Sequence, residues 1–305
     1  MFKKMVLGAV AAVTLAAFAP AAAEDAPRLF DPSNRLTRPD LSGLPRLRFL
    51  TTLDFPPFNF ADNSGRAAGF NIDIARAICR ELEIKAKCEL QAMPWDELDV
   101  TLDGMRGEAI IAGHRITSAL RAERDLSAPY FRFPARFTAR TDFDVERPDM
   151  SSIALRRRVA VVEGSAHAAM LKAWFPDARA VPMRDMEAAY QALRDGDVSL
   201  LFGDGVAIAF WLASTASDAC CRFVSGPFMS DHFLSPGMAI VMRQNSAGLS
   251  QAMDHALSKI EENGVYQEIY DRYFPLSPFS DIAPARTPPA GIGQEGEAQR
   301  PDETG

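Results

Sequence analysis

The amino-acid sequence predicts a mixed α/β protein built as two similar lobes. Three observations carry that expectation. Short apolar runs of strand character alternate with segments whose apolar residues recur at helical spacing, the pattern of strands covered by helices. A unit of helix, glycine stop, buried strand, glycine and polar residue occurs twice, in Leu102-Asp103-Gly104…Ala109-Ile110-Ile111-Ala112-Gly113 and in Leu193-Arg194-Asp195-Gly196…Ser199-Leu200-Leu201-Phe202-Gly203. The chain has 305 residues, 48% of them hydrophobic, ample for two cores rather than one.

The first 23 residues read as a secretory signal peptide: Lys3 and Lys4 make a basic start, Val6 to Phe18 an apolar segment, and Ala21-Ala22-Ala23 a cleavage site before Glu24. No other apolar run approaches the roughly 18 residues of a membrane span, so an exported, soluble protein is expected. Residues 24–46 are polar and carry several prolines, which suits a leader draped over the first lobe. Leu47, Phe49 and Leu50 open a strand that breaks at Pro56-Pro57, where proline removes backbone donors and disfavours helix before it. Asp62-Asn63-Ser64-Gly65 is a turn. From Gly69 the period changes, and Phe70, Ile74, Ala75, Ile78 and Leu82 form one helical stripe.

Ile84, Ala86, Cys88 and Leu90 alternate as a strand, and Trp95 to Asp103 is a short helix between Pro94 and Gly104. Ala109 to Ala112 is apolar throughout, as expected of a strand covered on both faces. Val159 to Val162 is a strand followed by a helix from Ser165 to Phe175, and Asp185 to Arg194 is a helix before the strand Val198 to Phe202. Gly237 to Met242 reads as a strand, Ala247 to Glu262 and Val265 to Phe274 as helices, and the alternation as mostly parallel sheets. Residues 276–305, rich in Pro, Gly and acidic side chains, read as a disordered tail.

Charge narrows the partners. Loss of the signal peptide removes Lys3 and Lys4 and takes the formal net charge from −7 to −9, which argues against nucleic acid or an anionic membrane. Arg156-Arg157-Arg158 is a tight basic cluster, read as the solvated entrance of a strand. Export permits disulfides, and Cys79, late in a helix, and Cys88, in the following strand, are spaced to close a short loop. Cys220 and Cys221 read as two half-buried thiols, since a bond between sequence neighbours closes a strained ring. Neither the cysteines nor the scattered His114, His167, His232 and His255 have metal-ligand spacing, so no metal and no cofactor are expected.

Pro57-Phe58, Gly65 with Gly69-Phe70-Asn71-Ile72-Asp73, Trp95, Gly113 to Thr117, and Ser127-Ala128-Pro129-Tyr130 follow one another in an order and spacing that resembles the family-3 extracellular solute-binding proteins. These are the periplasmic receptors of polar amino-acid ABC transporters, and the resemblance runs from about Leu47 to Pro275. It implies the type II periplasmic-binding-protein fold, two α/β lobes with a ligand cleft between them and two hinge crossings. Lobe 1 would then span 47–140 and, on its return, 230–275, with lobe 2 at 141–229. It also implies a periplasmic monomer that takes a small polar, amino-acid-like solute to a membrane ABC permease.

In open α/β sheets ligands bind beyond the carboxyl ends of the strands. That rule selects Gly113, His114 and Arg115 after one matched strand and Asp204 after the other. A guanidinium from one lobe and a carboxylate from the other suit a zwitterion, and a plain salt bridge is the alternative. Phe55 and Trp95 fall where the resembled family stacks aromatics on the ligand side chain, although such residues also serve as core. Helix-start amides at Gly164-Ser165 suit an anion, and a simple N-cap by Ser165 is equally natural.

The resembled family places its carboxylate-gripping arginine three residues after the threonine matching Thr117; here Leu120 stands there and Arg121 follows. Arg115 replaces a usual Ser or Thr, and Thr52 a frequent aspartate, while Asp204 keeps the amine-binding aspartate. No nucleophile, zinc-protease, phosphate-loop or dinucleotide motif is present, so the chain is read as a non-enzyme. The alternatives are a prephenate- or arogenate-type dehydratase on the same fold, with Glu163 or His114 as general acid, and a ligand sensor for another protein.

Overall fold

The computed structural model describes residues 26–31, 36–41, 43–144 and 153–279. The signal peptide and its cleavage site lie outside the described residues, as does the tail from 280 onward.

The chain opens with β1 (Leu47–Thr51), whose side chains are buried apart from Arg48. Three short strands follow, β2 (Asp54–Phe55), β3 (Asn59–Ala61) and β4 (Ala67–Ala68), forming a small antiparallel sheet of their own. α1 (Phe70–Glu81) then buries the stripe Phe70, Ile74, Ala75 and Ile78, as the spacing predicts. β5 (Cys88–Ala92) starts later than expected, because residues 85–87 form a 3₁₀ turn in place of a strand. Trp95 to Glu97 are likewise a 3₁₀ turn leading into α2 (Leu98–Asp103), and β6 (Ala109–Ile110) crosses the middle of the first sheet. α3 (Ser118–Glu123) runs into an edge strand, β7 (Arg124–Leu126), that the apolar pattern did not announce.

The second sheet begins with β8 (Ala135–Arg140) and continues with β9 (Arg158–Val162), α4 (Ala166–Trp174), β10 (Arg179–Met183), α5 (Met186–Arg194) and β11 (Leu200–Asp204). α6 (Gly205–Ala213) and β12 (Cys221–Phe228) complete it. The chain then returns through α7 (Asp231–Leu234) to β13 (Val241–Arg243), α8 (Ala247–Glu262) and α9 (Val265–Tyr273).

The first sheet has the order β5-β1-β6-β13-β7 and the second β10-β9-β11-β8-β12. In each, two parallel pairings are followed by two antiparallel ones, so four strands run one way and one, β13 or β8, runs against them. The expectation of mostly parallel sheets holds for four strands of each five, and the reversed strand is the one that enters by a crossing between sheets and not by a right-handed strand–helix–strand unit. β8 belongs to the second sheet, although a boundary at 140 counts it with the first lobe. The two crossing segments pair with each other, Met238 N–H donating to the Phe131 carbonyl at 2.8 Å and Tyr130 N–H to the Met238 carbonyl at 2.9 Å.

Each lobe has its own core. Phe49, Phe58, Phe70, Phe131, Met253, Tyr266 and Tyr270 lie in the first, and Phe137, Phe175, Phe202 and Phe228 in the second. The leader clasps the first lobe, since Leu29 and Phe30 donate backbone N–H groups to the Glu261 carboxylate and pack on its core. Burial pushes the Glu261 carboxyl above its usual range, and those two amides pull it back.

The chain does not become loose at Leu276. Leu276 is buried among the second lobe's Tyr190, Leu201 and Trp211, and the Pro278 carbonyl accepts from the Arg136 guanidinium at 3.1 Å. Residues 276–279 thus belong to the folded body and correct the start of the tail.

Two disulfides are present. Cys79–Cys88 ties the end of α1 to β5 across nine residues, as the spacing anticipates. Cys220 and Cys221 are also bonded to each other, which corrects their reading as thiols. The residues before that pair, Asp218 and Ala219, take left-handed conformations. Replacing both Cys79 and Cys88 by alanine should cost about 2–3 kcal/mol by the entropy of a loop this short, read as a lowered midpoint in urea unfolding. An unchanged midpoint would show that the tie is idle.

Candidate functional site

β1 and β6 end at the same edge of the first sheet, and the loop after β6 carries Gly113, His114 and Arg115. Gly113 has φ +97°, and a Cβ there would sit 2.8 Å from the Phe55 ring. Glycine is therefore required both by the backbone and by Phe55, which lies against it and stacks on Phe58 at 4.8 Å. Trp95, half exposed, stacks on the next residue, His114, with ring centroids 4.4 Å apart and planes 16° apart. Phe55 and Trp95 thus flank one loop, and both remain accessible to solvent.

Burial holds the His114 imidazole below its ordinary pKa, and its Nδ1 has no hydrogen-bond partner among the described residues. Arg115 is exposed, with its guanidinium 5.8 Å from the centre of the Phe133 ring and its backbone bridged to Met238. Met238 also bridges Phe131, so the loop that presents Arg115 is sewn to both crossing segments.

Thr117 caps α3, its hydroxyl accepting from Leu120 N–H at 3.0 Å. Leu120 turns toward the apolar cluster of Leu98, Leu102 and Val241, and Arg121 is exposed with no ion pair among the described residues. Arg124 is committed elsewhere, to Asp99 and Asp103, and so fastens α2 to β7.

On the second lobe, Ser165 does what an N-cap does: its hydroxyl accepts from Ala168 N–H at 3.1 Å and donates to the Val162 carbonyl at 2.6 Å. Asp204 closes β11 and caps α6, its Oδ1 accepting from Val206 N–H at 2.8 Å and Ala207 N–H at 3.1 Å. Its Oδ2 has no protein hydrogen bond among the described residues. Asp204 and Arg115 form no ion pair with each other; burial holds the pKa of His167, at the start of α4, below its ordinary value, the charge of Asp204 raising it and that of Arg115 lowering it further.

His167 was missed in the sequence, where it stood as one of four scattered histidines. Its position two residues after the Ser165 cap was the available signal. The arrangement puts Phe55 and Trp95 around Gly113 and His114, and sets Arg115 after β6 and Asp204 at the end of β11, strands of different sheets. It uses Thr117 and Ser165 as caps and leaves Arg121 outside. The cleft edge can thus offer a carboxylate acceptor, a guanidinium donor and two aromatic walls.

A family model for bacterial extracellular solute-binding proteins, family 3, matches residues 47–276. The chain is 27% identical over 219 residues to the arginine-binding periplasmic protein of Mannheimia haemolytica, covering 72% of this chain and 87% of that one. It is 24% identical over 235 residues to the ABC transporter arginine-binding protein 1 of Escherichia coli (strain K12), covering 77% and 93%. Among solved structures, the unliganded, open L-cystine solute receptor of Neisseria gonorrhoeae superposes with a TM-score of 0.64 at 19% identity, covering 75% of this chain and 92% of that one.

Proposed function

The chain belongs to the bacterial extracellular solute-binding proteins, family 3, with their two-lobed periplasmic-binding-protein fold, and from that premise we propose that it captures an amino-acid-like zwitterion and delivers it to an ABC permease. The observation that carries this reading is the pair Arg115 and Asp204, one in the loop after β6 and the other at the end of β11, unpaired with each other. Arg115 holds the solute's carboxylate and the free Oδ2 of Asp204 accepts from its ammonium group. Phe55 and Trp95 cover the apolar part of the solute. The crossing segments are the hinge about which the lobes close. Relatives named for binding arginine support an amino acid as cargo, and the ABC transporter in the name of the Escherichia coli relative supports delivery to a permease.

Mass spectrometry of whatever leaves gently purified protein on denaturation would identify the cargo. A thermal-shift panel of amino acids then checks it, because a ligand that binds the native state raises apparent stability by RT ln(1 + [L]/Kd). An amine-bearing carboxylate that raises the melt and is recovered unchanged is the expected result. A panel without any such shift would remove the reading.

A further inference from the structure

The folded chain does not finish inside one lobe. Phe274, just past α9, is buried in the first core beside Phe131, and its ring also meets Phe210 of α6, 5.9 Å away between centroids. Leu276 then crosses to the second lobe, where it is buried with Tyr190, Leu201 and Trp211. Ser277 turns back, its hydroxyl 3.1 Å from the Tyr270 hydroxyl of α9. The Pro278 carbonyl accepts from the guanidinium of Arg136, on β8, at 3.1 Å. Phe279 returns once more to the first lobe, its ring centroid 6.4 Å from those of Phe131 and Tyr270. Four successive residues are thus fixed to the second, first, second and first lobe in turn.

Such a strap has no slack, because consecutive Cα atoms stand only about 3.8 Å apart. A rotation of one lobe against the other carries Arg136 and the cluster around Trp211 relative to Tyr270 and Phe131. The strap must then give up one set of contacts. The cleft edge shows which arrangement those contacts hold. Trp95 is 51% exposed, Phe55 is 37% exposed, and Arg115 is exposed as well. Walls that face solvent belong to lobes standing apart, and closure on a solute would cover them.

We propose that residues 276–279 are a latch that holds the empty cleft open, and that closure on the solute must first release it. This rests on the hinge closure proposed above and on no particular cargo. When the binding-competent state is a minority, the apparent Kd is raised by the inverse of its fraction. Loosening the latch enlarges that fraction. Affinity then rises, although no residue of the latch touches the solute.

The test uses the whole purified protein with Leu276→Ala, which removes the first anchor on the second lobe. Spin labels on Val100→Cys in α2 and Glu187→Cys in α5, both exposed positions, report the separation of the lobes by pulsed electron paramagnetic resonance without any solute. Leu276→Ala should shift the distances to shorter values. Calorimetric titration with the amino acid that gives the largest thermal shift should show binding about fivefold tighter than wild type, as when the open state loses the equivalent of one net hydrogen bond. Val198→Ala is the control: Val198 lies in the same buried cluster but not on the strap, so distances and affinity should stay at their wild-type values. Unchanged or longer distances in Leu276→Ala overturn the latch, as does weaker binding or an equal shift in Val198→Ala. Should Leu276→Ala fail to fold, Phe279→Ala, which frees the far end from Phe131 and Tyr270, is read in the same way. A panel in which no amino acid binds removes the cargo reading, while the distances measured without solute still decide the latch.

Discussion

Replacing Arg115 by alanine should weaken solute binding by about 2–5 kcal/mol, the usual loss when one partner of a desolvated charge pair is removed and the other is left unpaired. The expectation rests on where the guanidinium stands. It leaves a loop stitched to both crossing segments, 5.8 Å from the centre of the Phe133 ring. Arg121 is the competing candidate. It lies on α3, one residue past Leu120, and one residue turns a side chain by about 100° around a helix. Leu120 faces the apolar cluster and Arg121 is exposed, so Arg121→Ala should cost much less. Arg124→Ala should leave affinity nearly unchanged, because Arg124 serves Asp99 and Asp103. Calorimetric titration of the three variants ranks them. Loss of binding in Arg121→Ala with retention in Arg115→Ala would return the carboxylate to α3.

Gly237→Ala should destabilise the protein by about 3 kcal/mol or more. Gly237 has φ +137°, a conformation that L side chains rarely adopt, and an added Cβ would sit 2.3 Å from the Phe131 carbonyl oxygen. Strained backbone and overpacking each cost about 1–3 kcal/mol, and here the clash is with backbone that cannot rotate away. The carbonyl in question accepts from Met238, and Gly237's own carbonyl accepts from Ile116 N–H at 2.9 Å. Any shift at Gly237 therefore moves the crossing segments and the loop of Arg115 together. Urea unfolding should show the loss of stability, and solute affinity should fall with it. A variant with wild-type stability would mean that the crossing is far more pliant than its hydrogen bonds indicate.

The parts of the fold that were legible are those in which one side chain in three or four must be apolar. α8 runs from Ala247 to Glu262, as its stripe of Leu249, Met253, Ala256, Leu257 and Ile260 required, and α1 buries its predicted face. β8 was invisible for a physical reason. It is buried along its length, yet it carries Arg136, whose guanidinium lies 4.4 Å over the Phe223 ring, and Thr138. Buried polar residues of this kind break the apolar run that marks a central strand. β12 was hidden by Gly226-Pro227 and two register shifts against β8. At the site, Arg115 and Asp204 were readable because each follows a buried strand.

Asp204 ends β11 with one carboxylate oxygen already engaged by two amides of α6. A carboxylate on a free side chain gives up rotamer entropy when a partner immobilises it, about 0.5–1.5 kcal/mol for a rotamer-rich group. Here that ordering is completed when the chain folds, long before any solute arrives. On the proposed reading the remaining oxygen would meet an incoming ammonium already aimed. Such preorganisation would leave the rate of encounter almost untouched and lengthen the stay, so the cap on α6 would act on how long the cargo is kept.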